Sequence, residues 1–212
     1  MGEAPTFAFE RSLWRREIRL VAGVDEVGRG PLAGPVAAGA VILPSGARFR
    51  WLSRVRDSKE LTPGARAELA GYIWDRALSA AVAFIPVHVV DRIGIAEASR
   101  QAMLAAIGDL ALRPQHLLID AFRLPACRLG QTPIVHGDAI SLSIACASII
   151  AKVARDRLMD EQETRYPGYG FVTNKGYGTP GHFQALERLG PCLLHRRSFS
   201  PVREMVGGLA AV

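Results

Sequence analysis

Two kinds of apolar spacing alternate along this chain. Residues 20–25 and 35–43 are short, nearly unbroken apolar runs bordered by Gly and Pro, the pattern of buried strands. The turn Gly28-Arg29-Gly30-Pro31 lies between them and predicts that the two pair. Further apolar runs at 80–90, 116–120 and 133–135 predict three more strands. Wider spacing marks helices. Thr62 and Pro63 open one as N-cap and first helical residue, and Leu69, Ile73 and Ala77 give it a single buried stripe. Residues 96–112 predict a second helix stopped by Pro114, residues 140–163 a long, mostly buried third, and residues 181–189 a short last one. Strands that first group antiparallel and then alternate with helices predict an α/β mixed sheet with helices packed on it. Strand 116–120 is expected parallel to its neighbour through a right-handed crossover.

The remaining stretches are polar or irregular. Residues 1–16 form a mixed arm, a short helix or an ordered tail, and residues 48–59 are basic and irregular. Residues 166–180, rich in Gly and aromatics, read as a loop, followed by a basic patch at His195-Arg196-Arg197. Residues 203–212 fit either a disordered tail or a docking segment.

The length of 212 residues suits one domain, and 49% hydrophobic with 22% charged residues supports a sizeable core without disulfides. Cys127, Cys146 and Cys192 are odd in number, far apart and form no C-x-x-C, which argues against a disulfide framework or a zinc site and for a reducing compartment. The N-terminal residues show no basic stretch followed by an apolar one, so no signal peptide is expected. The apolar run at 138–154, bracketed by Asp138 and Lys152, is too short for a membrane span. These features make a cytoplasmic protein with no membrane association the expectation. A net charge of +6 favours a polyanionic partner, nucleic acid above all, although charge alone serves solubility equally well.

The candidate chemistry lies in the acids. Asp25 and Glu26 end the first apolar run and offer hard oxygen ligands for Mg²⁺ or Mn²⁺. Asp120 closes its strand in the same way. If the two strands are adjacent and parallel, both ends meet at the edge where open α/β sheets place ligands. Asp138, between Gly137 and the long helix, is either an N-cap or a fourth acid at that edge. Four such carboxylates repel one another without cations. Two divalent ions would neutralise them and activate a water for in-line attack on a phosphodiester. Adjacent strand side chains point to opposite faces, so Asp25 and Glu26 share an ion only if the chain bends, and Gly28 and Gly30 can supply that bend. Taken singly, each acid also has a plain reading as a strand end or a cap.

The spacing Gly28-x-Gly30-x-x-x-Gly34 loosely resembles a dinucleotide fingerprint, but that motif needs a helix directly afterwards, and Pro35 with an apolar strand follows instead. Arg29 offers a fork for phosphate. Tyr177, between Gly176 and Gly178, can stack on a base or sugar, or can pin its own loop. Lys175, Arg196 and Arg197 are candidates to hold phosphates. Lys59, in Asp57-Ser58-Lys59, fits a phosphate contact or a polar turn.

Several motifs, in order over most of the chain, resemble bacterial ribonuclease HII, a type 2 ribonuclease H. They are Gly23-Val-Asp-Glu-Val-Gly-Arg-Gly-Pro-Leu-Ala-Gly-Pro-Val36, Asp57-Ser-Lys-Glu-Leu-Thr62, Leu118-Ile-Asp120, Gly137-Asp-Ala139, Ser148-Ile-Ile-Ala-Lys-Val-Ala-Arg-Asp156, Lys175-Gly-Tyr-Gly-Thr179 and His195-Arg-Arg-Ser-Phe199. The resemblance implies a ribonuclease H-like fold, a mixed five-stranded sheet flanked by helices with a C-terminal helical extension. It divides the chain into an arm (1–16), a catalytic domain (17–165) and a substrate-contacting loop with helical extension (166–212). It also implies a monomer that cleaves RNA in RNA–DNA hybrids and cuts at single ribonucleotides in duplex DNA, leaving 5′-phosphate and 3′-hydroxyl ends. Asp25, Glu26, Asp120 and Asp138 fall on the family's metal-binding acids, for Mn²⁺ or Mg²⁺. Gly28, Arg29, Gly30 and Tyr177 fall on the residues that sense the 2′-hydroxyl at the RNA–DNA junction. The chain departs from the family at Arg56, where Asn is common before Asp-Ser-Lys, at Gly94, where an Asn contacts backbone phosphate, and at His136, where Lys is common. These departures bear on substrate affinity. Two rivals remain: another nuclease or strand-transfer enzyme of the same fold, for instance a Holliday-junction resolvase, against which the 2′-hydroxyl reader argues, and a non-catalytic hybrid-binding module, against which the four acids argue.

Overall fold

Five strands form one sheet: β1 (Val21–Val27), β2 (Val36–Ile42), β3 (Ser79–Ile85), β4 (His116–Asp120) and β5 (Gly130–Ile134), in the spatial order β3-β2-β1-β4-β5. This computed structural model describes residues 4–209. β1 pairs antiparallel with β2 and β2 with β3, while β1 runs parallel to β4 and β4 to β5. The helices are α1 (Ala8–Trp14), α2 (Pro63–Arg76), α3 (Val87–Ile93), α4 (Ile95–Gly108), α5 (Gly137–Ile140), α6 (Leu142–Arg165), α7 (Phe171–Asn174), α8 (Pro180–Leu189) and α9 (Ser200–Leu209).

Side-chain alternation splits the sheet between two cores. Val21, Val41 and Leu118 pack with Leu69 and Ile73 of α2 and the first turns of α6. Ala22, Val24, Ala40 and Ile119 pack with Ala98, Ala102 and Met103 of α4. Full burial of each large aliphatic side chain is worth about 1.5–3 kcal/mol. Helix α6 lies directly on the sheet where β1 and β2 carry glycine. A Cβ at Gly23 would fall 2.0 Å from the Ser143 carbonyl carbon, and one at Gly39 would fall 2.2 Å from the Ala147 oxygen.

The helix opening at Thr62-Pro63 is capped as expected, with the Thr62 hydroxyl accepting from the Ala65 N–H at 3.3 Å. Several boundaries differ. The strand expected over 80–90 ends at Ile85, and Pro86, which has no N–H to donate, caps α3. Val87 and Val90 then bury themselves at helical spacing, so burial overrides their β preference. The helix expected over 96–112 stops at Gly108, well short of Pro114. The long helix expected over 140–163 is α6, which starts at Leu142, while Ile140 ends the separate short helix α5. Ser141 caps α6 by accepting from the Ile144 N–H at 3.3 Å, so Asp138, inside α5, is not its N-cap. The loop over 166–180 contains the short helix α7.

The N-terminal arm is less polar than its sequence suggests. Phe7, Leu13 and Trp14 join the α2–α6 core. Buried Glu10 accepts from the Ser141 hydroxyl at 2.7 Å and the Ser143 N–H at 2.9 Å. Beyond α6 a third core gathers Leu32, Met159, Tyr169, Phe171 and Leu186. The segment left as tail or docking segment continues as helix α9 to Leu209, and residues 210–212 lie outside the described residues.

Candidate active site

β1 and β4 pair from Val21–His116 to Val24–Ile119 and then part. The chain leaves β1 for one side of the sheet and returns through β4 to build the other, so this gap is the switch point of an open α/β sheet. A cavity of about 510 Å³ opens there, lined by Asp25, Glu26, Asp120 and Asp138 together with Gly28, Arg29, Gly30, Lys59 and Tyr177.

Different elements aim each acid. Asp25 is buried, lines the cavity beside Ser148 of α6, and accepts the Glu26 N–H at 2.8 Å. Glu26, next along the strand, turns to Arg29, whose Nη1 lies 3.1 Å from Oε1. No sharp bend is needed: β1 stays paired with β2 through Val27, and the parting of β1 from β4 opens both positions to the cavity. Asp120 ends β4 and accepts the Gly137 N–H at 2.7 Å, which ties it to the turn that carries Asp138. Lys59 donates to Asp138 at 3.2 Å. Ala121 and His136, beside these last two acids, hold left-handed backbone (φ 60° and 56°), strain of the kind that collects at functional sites.

Burial, then Glu26 and Asp120, push the Asp25 carboxyl well above the usual carboxylate range. Burial likewise raises Glu26, against the pull of Arg29, and raises Asp120, against the Gly137 hydrogen bond. One Glu26 oxygen, Oε2, is buried with no hydrogen-bond partner. Among the described residues, no three acidic, His or Cys side chains close into a cage for an ion. The acids instead rim an open cleft, which fits Mg²⁺ or Mn²⁺. Such ions are held by one or two carboxylates with water and substrate phosphate completing the shell. The like charges and the free Glu26 oxygen are what an oxygen-seeking cation would satisfy.

Four residues that sequence reasoning missed also belong to the site. Ser58, Arg66, Ser148 and Lys152 line the same cavity. Ser58 and Ser148 share a hydrogen bond at 3.0 Å, and Lys152 lies 5.8 Å from the Tyr177 ring centre while pairing with Asp156. The i, i+4 spacing of Ser148 and Lys152, which sets both on one face of α6, was the available signal. Phe122, after Asp120, carries the Arg29 and Arg100 guanidiniums at 5.8 Å and 5.9 Å from its ring centre.

Three of the expected phosphate contacts, Lys175, Arg196 and Arg197, do not line this cavity. Lys175 pairs with Asp160 and borders the adjoining groove with Arg66, Lys152 and Tyr177. Arg196 is fully buried, so the expectation that it holds substrate phosphate is corrected. The protein's own carbonyls already take its donors: Gly34 at 2.9 Å, Arg29 at 2.8 Å and Gly28 at 2.6 Å. Burial, reinforced by nearby Arg155, lowers its pKa to about 9. His195, also buried, belongs to a chain of hydrogen bonds rather than to a basic patch. His182 Nδ1 donates to the Tyr177 carbonyl at 2.8 Å, so its Nε2 accepts from His195 Nε2 at 3.0 Å. His195 Nδ1 in turn accepts the Cys192 N–H at 3.0 Å.

The profile of the family described as Ribonuclease HII matches residues 22–202. The chain belongs to the ribonuclease HII family. It is 53% identical to a Ribonuclease HII of Anaeromyxobacter sp. (strain Fw109-5) over 94% of its own length, spanning 62% of that relative. It is 51% identical to the Ribonuclease HII of Moorella thermoacetica, covering 91% of this chain and 92% of that one. The ribonuclease H2 of Pyrococcus horikoshii OT3 superposes with a TM-score of 0.76 at 26% identity, over 91% of this chain and 99% of that one. The Bst-RNase HIII solved in complex with Mn²⁺ shares the fold at a TM-score of 0.66 and 18% identity, over 90% of this chain and 70% of that one. By this membership the chain is a hydrolase of the ribonuclease H class, with the ribonuclease H-like sheet and flanking helices expected from its motifs. Among the described residues, no helix is long and apolar enough to cross a membrane.

Proposed function

We propose that this chain is an endonuclease that hydrolyses the RNA strand of RNA–DNA hybrids and cuts on the 5′ side of single ribonucleotides in duplex DNA, leaving 5′-phosphate and 3′-hydroxyl ends. The observation that carries this reading is that four carboxylates, the Gly28–Gly30 turn and Tyr177 share one cavity. Asp25, Glu26, Asp120 and Asp138 would hold two divalent ions, Mn²⁺ or Mg²⁺, and the Mn²⁺ of the Bst-RNase HIII neighbour supports that class of ion. When bound, the ions neutralise the acids, polarise the scissile phosphate and activate a water.

The chain's own residues do the rest. The Glu26 N–H holds the Asp25 carboxylate, and the Gly137 N–H orients Asp120. Gly28 and Gly30 let backbone groups approach the 2′-hydroxyl, the atom that separates RNA from DNA. Tyr177, 44% exposed, would lie under the adjoining sugar, where a deoxynucleotide has no hydroxyl to clash with the ring. Lys59 and Lys152 meet phosphate at the cleft, with Lys175 along the adjoining groove. In this reading residues 17–165 supply the chemistry, residues 166–212 the substrate-contacting loop and extension, and residues 1–16 a supporting arm. The protein acts as a monomer in the cytoplasm.

The test is a DNA duplex carrying one ribonucleotide, incubated with the protein and Mg²⁺ or Mn²⁺. A single cut on the 5′ side of the ribonucleotide is expected, with no cut in the all-DNA duplex. Cleavage of an all-DNA four-way junction would point to a resolvase instead, and hybrid binding without cleavage to a binding module.

A further inference from the structure

Arg155 and Arg196 are buried to within 1% of full coverage, and among the described residues neither forms a salt bridge. A guanidinium in such a place is normally paired with a carboxylate. Here every hydrogen bond found for the two goes to a backbone carbonyl. Arg155 donates to Ala33 at 3.1 Å, Pro35 at 3.0 Å and Lys175 at 3.0 Å. Arg196 donates to Gly28, Arg29 and Gly34. Five carbonyls of the β1–β2 turn are thus held by two side chains, and Arg155 also reaches across to the loop that presents Tyr177. The turn and the loop meet directly as well: the Leu32 and Ala33 N–H groups both donate to the Gly176 carbonyl, at 2.8 Å and 3.2 Å. The space beneath is full, since a Cβ on Gly28 (φ 84°) would fall 2.2 Å from Arg155 Nε.

Two like charges buried side by side are costly. What they provide is a rigid planar fork, three fixed donor directions each, that a flexible Lys cannot reproduce. We propose that Arg155 and Arg196 are positioning residues that set discrimination between ribo- and deoxyribonucleotides, by fixing the separation between the Gly28–Gly30 turn and Tyr177. This rests on the 2′-hydroxyl reading above. Neither arginine lines the acid cavity, and each acts through backbone it holds in place.

The experiment compares wild type, Arg155→Lys and Arg196→Lys on two substrates, a duplex with one ribonucleotide and a uniform RNA–DNA hybrid, and reads the ratio of kcat/KM between them. Loss of folded protein scales both values equally and leaves the ratio unchanged. Displacement of the reader lowers the single-ribonucleotide value more, because cleavage there depends on one junction. A fall in the ratio on the order of tenfold or more is expected in both variants, since a misplacement of about 1 Å can cost a hundredfold. An unchanged ratio in a folded variant overturns the proposal. Should neither variant fold, the wild type supplies the measurement. Its buried guanidinium NMR signals should shift on adding an uncleavable single-ribonucleotide duplex and stay fixed on adding the all-DNA duplex. Identical responses to the two overturn the proposal. Failure of the wild type to cut at the ribonucleotide would instead sink the functional reading itself.

Discussion

The acid cluster and the arginine pair lie on either side of the Gly28–Gly30 turn, and each gathers like charges. They resolve the repulsion in opposite ways. The carboxylates of Asp25, Glu26, Asp120 and Asp138 rim an open cleft and keep a buried oxygen unpaired, and burial with neighbouring like charge raises the pKa of Asp25, Glu26 and Asp120. Arg155 and Arg196 lie under the surface with their donors occupied by the protein's own carbonyls. The first group keeps an unsatisfied carboxylate oxygen even with Arg29 and Lys59 beside it, which suits the binding of a cation from outside. The second is complete when the chain has folded, which suits the fixing of shape. Sign and clustering alone do not separate the two; here the acids face a cleft with one Glu26 oxygen unpaired despite Arg29 and Lys59, while the arginines spend their donors inside the protein.

That contrast can be broken at several points. The largest effect is expected for Asp25→Asn, which should lower cleavage on the order of 10³-fold while hybrid affinity stays nearly constant, because phosphate contacts come from other residues. The same change should raise the melting temperature of the metal-free protein by a few degrees, since it removes a buried charge among like charges. Full activity would remove Asp25 from the chemistry, and a drop in melting temperature would mean that its charge is already compensated. Arg196→Met should do the reverse. It leaves three buried carbonyls without donors, at a cost of about 3 kcal/mol, and thermal melting should fall by about 10 °C. A stability within error of wild type would contradict the clamp.

Acidity separates the two regions more finely. Burial and His182 lower His195 to about 4, whereas an unfolded histidine takes up its proton near 6.5. Between those values the unfolded chain binds more protons, so His195 should cost up to about 3 kcal/mol of stability as pH falls from 6.5 to 4. The raised carboxyls of Asp25, Glu26 and Asp120 act the other way. In the metal-free protein the folded state binds their protons first and gains stability as pH falls through their elevated pKa values. Urea titrations across this range should show a shallower acid loss in His195→Gln than in wild type, and a steeper one in Asp25→Asn.

Much of this arrangement was legible in the sequence, for identifiable reasons. Apolar runs ending in acids mark buried strands whose ends meet at one sheet edge, and Asp25, Glu26 and Asp120 do meet there. Thr62-Pro63 announces its helix because both residues act on the local backbone. Arg196 was misread because a charge in a sequence carries no sign of burial, and the carbonyls that hold it belong to main chain common to every residue type. The His182–His195 contact joins a helix to a coil segment through packing, which no local spacing encodes. Pro86 marks the end of β3, yet the apolar residues after it continue a strand-like composition into a helix.

The close seat of α6 on Gly23 and Gly39 has a reach beyond packing. Ser148 and Lys152 ride on that helix, one bonded to Ser58 at the cavity wall and the other beneath Tyr177. A single methyl group at either glycine, on the side of the sheet away from solvent, would lift the helix and carry both side chains out of reach of the cleft. An alanine there would silence the enzyme without touching any atom of the cleft, so the tolerances of the chemistry are inherited from two positions that have no side chain at all.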